Sequence, residues 1–117
     1  MSYSEEWAVL VHPDAAAEIR SIPHTERVAL RAALEKLIAH GPALSFPHQS
    51  AVRGSRGLRE LRPRAGRSAW RALYSRIGET FVILAVAPEA RSDPRRFARA
   101  VRRSTARLTM LQEREGD

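Results

Sequence analysis

The chain has 117 residues, no cysteine, and 20 basic against 13 acidic side chains, a formal net charge of +7. The length fits a single domain over residues 1–117. The absence of cysteine excludes a disulfide framework, a thiolate zinc site and a cysteine nucleophile. No apolar run approaches the roughly 20 residues of a membrane span. The first residues carry Glu5 and Glu6 and no basic group, unlike a secretory signal. We therefore expect a soluble, cytoplasmic protein.

The positive charge is concentrated in the second half of the chain. Residues 1–50 carry four basic and six acidic side chains, whereas residues 51–117 carry 16 basic and seven acidic ones. Every basic residue except Lys36 is an arginine, whose planar guanidinium matches the geometry of phosphate. This distribution favours a polyanionic partner. The alternative is a GC-rich genome that encodes arginine freely on solvated faces.

The first half of the chain predicts one strand followed by two helices. The apolar run Trp7–Val11 is typical of a strand buried on both faces or nearly so. A short helix is predicted over residues 14–20, with proline near its first turn, and a longer one over Thr25–His40. The apolar side chains of the longer helix form one stripe: Leu30, Leu34, Leu37 and Ile38. Residues 41–57, with two prolines and three glycines, are predicted to form a loop.

The second half predicts an antiparallel meander and a last helix. The three strands are predicted over Leu58–Arg62, Ala69–Arg76 and Thr80–Ala87. The third is apolar on both alternating faces, so it belongs at the centre of the sheet. Asp93-Pro94 is a typical helix start, and the helix should run to about Leu111, with a frayed tail over residues 112–117. The order β-α-α-β-β-β-α predicts an α+β fold with a small, mostly antiparallel sheet. The two N-terminal helices would cover one face, and the C-terminal helix would partly cover the other.

Arg71 is the most informative of the basic residues because it interrupts an apolar strand. A guanidinium in that position is costly to bury unless it has a partner or faces water. Arg71 could pair with an internal carboxylate, for which Glu60 on the neighbouring strand is the candidate. It could instead contact phosphate on the uncovered face of the sheet. Both possibilities remain open from the residues alone.

The motifs of the second half carry a resemblance to a known family. They are Leu58-Arg-Glu-Leu-Arg-Pro63, then Gly66-Arg-Ser-Ala-Trp-Arg-Ala-Leu-Tyr74, then the apolar strand to Ala87 and the Asp93-Pro94 helix start. In this order they resemble the RelE/ParE toxin superfamily, and in particular its HigB-like, phage-derived branch. The resemblance covers about residues 5–110.

The resemblance implies the toxin of a type II toxin–antitoxin system. Its implied activity is that of a ribosome-dependent mRNA endoribonuclease, in which the 2′-hydroxyl attacks the adjacent phosphate without a metal or cofactor. The implied partners are a helix-turn-helix antitoxin, the ribosome and mRNA. Operator DNA would be bound mainly through the antitoxin.

The resemblance also assigns roles to individual residues. Arg71 and Arg91 match the positions of the family's functional arginines, so we assign them as catalytic. We assign RNA binding to Arg62, Arg64, Arg67, Arg76 and Phe97. Phe97 aligns with a tyrosine that can stack on a base at the start of the last helix. Tyr74 lies three residues beyond Arg71 and should face the opposite way, so a core position is favoured over a catalytic one.

Departures from the family leave other functions open: Phe97 replaces the tyrosine of the last helix, and Leu58 and Glu60 stand where RelE-type lysines would fall. HigB-like relatives often carry a lysine pair in the loop after the apolar strand, where this chain has Pro88-Glu89-Ala90. A ParE-like gyrase poison would share the fold without nuclease chemistry. A catalytically weak module that binds RNA or the antitoxin is the second alternative. No general base is identified, and His48 is the one histidine whose loop could bring it to the face of the sheet.

Overall fold

The computed structural model describes residues 6–115. Its elements, in chain order, are β1 (Ala8–Val11), α1 (Pro13–Ser21), α2 (His24–His40), β2 (Gln49–Ala51), β3 (Arg59–Leu61), β4 (Trp70–Ile77), β5 (Thr80–Pro88) and α3 (Pro94–Glu115). Short 3₁₀ turns follow α2 at Gly41–Ala43 and β3 at Pro63–Gly66. In this part of the chain, no helix is both long and apolar enough to cross a bilayer.

The five strands form one sheet in the order β1-β5-β4-β3-β2. β1 pairs in parallel with β5, and the other three pairings are antiparallel. The predicted fold class, including the β3–β4–β5 meander, is confirmed. The segment predicted as loop contributes a fifth strand, β2, which is three residues long. A strand of this length has too few alternating positions for a sequence pattern to mark it.

The helices cover the two faces of the sheet and create two core clusters. Between α1, α2 and one face lie Ala15, Leu30, Leu37, Leu61, Ala72, Tyr74 and Ile83. Between α3 and the opposite face lie Leu58, Leu73, Val82, Leu84, Phe97, Ala100 and Leu108. β5 contributes side chains to both clusters and is buried along almost its whole length, as its apolar pattern predicts.

β1 is an edge strand, and the prediction that it is buried on both faces is wrong. Val9 packs against the cluster under α1 and α2, but Leu10 is 60% exposed. Leu10 faces a groove that is also lined by Val82 and Leu111. The apolar run overstates burial because the layer formed by α3 leaves this corner of the sheet open.

An ion pair closes the edge of β5 where β1 ends. The Glu18 carboxylate of α1 accepts a hydrogen bond from the backbone N–H of Val86 (3.0 Å), and Arg107 of α3 donates to the carbonyl of Leu84 (2.6 Å). The two side chains also pair with each other at 2.8 Å. They therefore satisfy backbone groups that a longer β1 would have paired, and they join the two helical layers.

The last helix begins as its sequence predicts. The Asp93 carboxylate accepts a hydrogen bond from the backbone N–H of Arg96 (3.1 Å), and Pro94 occupies the first helical position. The helix continues through Glu115, so residues 112–115 are helical rather than frayed. The rest of the predicted tail, residues 116 and 117, lies outside the described residues.

Candidate functional site

Arg71 lies at the centre of the candidate site and is almost completely buried. Arg71 is 2% exposed. Leu73, two residues further along β4, packs under α3, so Arg71 is placed on the same face of the sheet. All five of its N–H groups have acceptors within the chain: Glu60 Oε1 (3.3 Å), Ser68 O (2.6 Å), Trp70 O (3.0 Å), Gly66 O (3.3 Å) and Glu89 Oε2 (2.7 Å). The pairing with Glu60 is therefore present, and a second carboxylate joins it.

The groups around Arg71 shift its pKa in opposite directions. Burial lowers the pKa of Arg71, and the positive charge of Arg62 lowers it further, while Glu89 and Glu60 act in the opposite direction. The guanidinium remains a cation because arginine does not lose its proton in proteins. A phosphate could reach Arg71 only by displacing one of its present acceptors.

Glu89 connects Arg71 to the loop that carries Arg91. Its backbone N–H donates to Ala69 O (2.7 Å), and its second carboxylate oxygen accepts from the Ser92 hydroxyl (2.9 Å). The loop is thus fixed at its base, while Arg91 is exposed. Among residues 6–115, no carboxylate lies within 4.0 Å of the Arg91 guanidinium.

Arg62 lies beside Arg71 and shares the same carboxylate. Its Nη1 donates to Glu60 Oε1 (3.1 Å) and its Nε to Pro47 O (3.1 Å). The guanidinium carbon lies 5.3 Å from the centroid of the Phe46 ring. Its Nη2 has no hydrogen-bond acceptor among the described residues, so Arg62 retains donor capacity that Arg71 lacks.

The other predicted RNA-binding arginines do not join this cluster. Arg64, with φ of 55°, pairs with Glu26 on α2 at 2.8 Å. Arg67 is exposed, and its Nε donates to the carbonyl of Arg64 (3.2 Å). Arg76 lies five residues along β4 from Arg71, roughly 17 Å at the usual strand rise, and its guanidinium carbon lies 5.2 Å from the Trp7 ring centroid.

Both aromatic residues considered for the site are buried in the core. Phe97 is 9% exposed and packs between α3 and the sheet, so the prediction that its ring stacks on a base is wrong. Tyr74 packs on the opposite face, with its ring centroid 5.9 Å from that of Phe81, as was favoured. Burial raises the pKa of Tyr74, and nearby Arg59 partly offsets this.

Phe46 is an exposed aromatic side chain that the sequence analysis missed. It lies in the loop between α2 and β2, is 69% exposed and covers Arg62. A phenylalanine in a loop usually anchors the core, and the contact with Arg62 joins residues 16 positions apart. Nothing local in the sequence could therefore have singled it out.

A groove of about 290 Å³ runs beside Arg62 along α2. Its polar lining comes from Lys36, His48, Arg62 and Arg64, and Val28 and three alanines form the apolar wall. His48 therefore lies in the groove along α2, beside Arg62. Within residues 6–115, no group of three or more acidic or histidine side chains is placed to hold a metal ion.

Most of the arginines in the second half of the chain lack an internal carboxylate partner. Eleven of the 16 lie beyond 4.0 Å from every carboxylate of residues 6–114: Arg53, Arg56, Arg59, Arg67, Arg76, Arg91, Arg95, Arg96, Arg99, Arg102 and Arg114. Their charge is not neutralised within the fold and is available to a polyanion.

The fold is that of the RelE toxins. It matches a variant of the E. coli toxin RelE in its free state with a TM-score of 0.60 and 20% identity, over 84% of this chain and 97% of that one. It matches the toxin–antitoxin complex RelBE2 of Mycobacterium tuberculosis at 0.56 and 20% identity, over 72% and 99%. It matches the archaeal RelE–RelB complex of Pyrococcus horikoshii at 0.54 and 21% identity, over 74% and 98%.

The chain belongs to the family of phage-derived Gp49-like proteins, whose model matches residues 17–88. The family and the fold together place it in the RelE/ParE superfamily, as its sequence motifs indicate. No curated protein matches the sequence.

Proposed function

We propose that this chain is the toxin of a type II toxin–antitoxin pair and that it stops translation by cutting mRNA on the ribosome. The observation that carries the proposal is the set of eleven arginines in the second half, Arg91 among them, that have no carboxylate partner among the described residues, on a fold shared with RelE toxins. Proteins of this fold occur in complexes with their antitoxins, as in Mycobacterium tuberculosis and Pyrococcus horikoshii. We extend that partnership to this chain, with a helix-turn-helix antitoxin.

The proposed reaction needs a cationic donor at the phosphate. Attack by the 2′-hydroxyl places extra negative charge on the phosphate oxygens, and a fixed guanidinium stabilises that charge. Arg91 and Arg62 are suited to this role because both have N–H groups without an acceptor in the described chain. Arg71 acts through Glu89, which fixes the loop that carries Arg91, so we assign it as a positioning residue.

Primer extension on mRNA after brief induced expression tests the proposal. The wild type should produce cuts at codon-phased positions in translated message. Arg91→Ala should reduce cleavage by about 100- to 1,000-fold, the usual effect of removing one charge-stabilising donor. Arg114→Ala is the matched control, because it removes an exposed arginine from the far end of α3 and should leave cleavage unchanged. Growth arrest without cuts would refute the nuclease and point to gyrase, which a supercoiling assay would then examine.

A binding module without nuclease activity is the second candidate. It is favoured by the five internal acceptors of Arg71, which leave that guanidinium no donor for RNA. This candidate predicts salt-sensitive binding to ribosomes, with neither cuts nor growth arrest.

A further inference from the structure

Phe46 differs from the other exposed apolar side chains in what lies beneath it. One face of its ring covers the Arg62 guanidinium, at 5.3 Å from ring centroid to guanidinium carbon. With 69% of the residue exposed, the other face of the ring is open to solvent. The ring is thus held in place by a cation and presents a flat apolar surface outwards.

Arg62 is itself held from several directions. Pro47 O and Glu60 Oε1 accept hydrogen bonds from its Nε and Nη1. On the side of Nη2 lies Gly66, with φ of 92°, where a Cβ would come within 2.6 Å of that nitrogen. Glycine at this position therefore leaves the space that the guanidinium occupies. Phe46 and Arg62 form a preorganised pair, in which Nη2 still has N–H groups to donate.

We propose that Phe46 and Arg62 form a nucleotide subsite for single-stranded RNA, in which a base stacks on Phe46 and the adjoining phosphate contacts Arg62. Aromatic rings beside a basic groove are the usual means of holding single-stranded nucleic acid. The pair would supply the base stacking that the buried Phe97 cannot provide. The inference rests on the proposed function for its RNA substrate.

The charge of the adjoining groove favours RNA over a protein partner. Its charged lining side chains are Lys36, Arg62 and Arg64, and no acidic residue lines it. A phosphate chain entering the groove from Phe46 would therefore meet three basic side chains and no acidic lining residue, although Arg62 and Arg64 also pair with Glu60 and Glu26. An antitoxin segment that docked on Phe46 would need acidic side chains at the same positions, which makes that partner the alternative outcome of the test.

The test uses a short single-stranded RNA that carries one 2-aminopurine, whose fluorescence falls when it stacks. Binding to the full chain is measured by anisotropy, and stacking by fluorescence. Phe46→Ala should weaken binding by about 5- to 160-fold, the range for one base–aromatic stack, and should abolish the quenching. Phe46→Trp should retain both, whereas Phe46→Leu should lose the quenching. Met110→Ala, which truncates another exposed apolar residue (55%) on α3, should change neither.

The outcomes separate this inference from the proposed function. If the wild type cleaves mRNA and Phe46→Ala binds RNA as tightly as the wild type does, the subsite is refuted and the proposed nuclease function is not. Phe46-dependent stacking without cleavage would support the subsite and refute the nuclease. If Phe46→Ala weakened copurification with the antitoxin while RNA affinity stayed unchanged, the surface would belong to the protein partner and the subsite would be refuted. Absence of RNA binding by the wild type at low salt would refute the subsite as well.

Discussion

Replacing Arg71 with alanine should destabilise the fold far more than replacing any exposed arginine. The substitution leaves Glu60 and Glu89 without their shared cation and removes donors from three backbone carbonyls. Removing one partner of a buried ion pair costs about 3–5 kcal/mol. Since small domains have a free energy of unfolding of about 5–15 kcal/mol, this is a large share of the total.

The expected loss converts to a large change in melting temperature. An unfolding entropy of about 2.1 cal/mol/K per residue makes 1 kcal/mol equal to about 4 °C for this chain. Arg71→Ala should therefore lower Tm by about 12–20 °C in differential scanning calorimetry. Arg91→Ala, the matched control, should fall within about 2 °C of the wild type, because exposed substitutions usually change stability by no more than about 0.5 kcal/mol.

A double variant tests whether the loss of stability in Arg71→Ala comes from uncompensated charge rather than from lost packing. Arg71→Met combined with Glu89→Gln removes the cation together with one of its carboxylates, so less uncompensated charge stays buried. We expect it to recover part of the Tm lost in Arg71→Ala. A Tm for Arg71→Ala within about 2 °C of the wild type would refute the reasoning, because the guanidinium would then be free to serve a phosphate. The cleavage activity of Arg71→Ala must accordingly be compared with that of the wild type at temperatures where the variant is folded.

Three further predictions follow from other parts of the fold. Phe97→Leu should keep cleavage and cost less than about 1.5 kcal/mol of stability, because the ring fills a core rather than stacks; loss of cleavage in a folded variant would contradict this. Glu18→Gln should lower the free energy of unfolding at neutral pH by about 1–3 kcal/mol, since it weakens the ion pair with Arg107. Burial raises the pKa of Glu18, but hydrogen bonds from Arg107 and the Val86 N–H and the charge of Arg103 outweigh it, so the pKa lies below the usual 4.5. The ionised Glu18 carboxylate therefore stabilises the fold fully above its unfolded-state pKa, and this stabilisation is lost as pH falls through its folded-state pKa. The Tm difference between the wild type and Glu18→Gln should accordingly vanish in strong acid. Ala65→Gly should raise Tm by about 2–4 °C, because relief of the strain of alanine at φ of 55°, about 1–2 kcal/mol, exceeds the entropy cost of glycine, about 0.5–1 kcal/mol; an unchanged or lower Tm would refute that strain.

The elements of the fold could be predicted because their signals are local. The apolar pattern of β5, the stripe on α2 and the Asp93-Pro94 cap each depend on side chains within a few positions of one another. Where a signal needed a distant neighbour, prediction failed. β1 has the composition of a buried strand, but its exposure depends on where α3 ends relative to the sheet.

The candidate site also shows the difference between what the local sequence predicts and what depends on distant neighbours. The sequence by itself determined the family motifs, the arginine-rich second half and the two possible roles of Arg71. Only the tertiary structure shows which partners Arg71 has, because the acceptors around it come from three separate segments, at Glu60, residues 66–70 and Glu89. It likewise brought Phe46 onto Arg62. The physical reason is that a cation's partners and an aromatic ring's exposure depend on distances across the fold, which the spacing of residues along the chain does not contain.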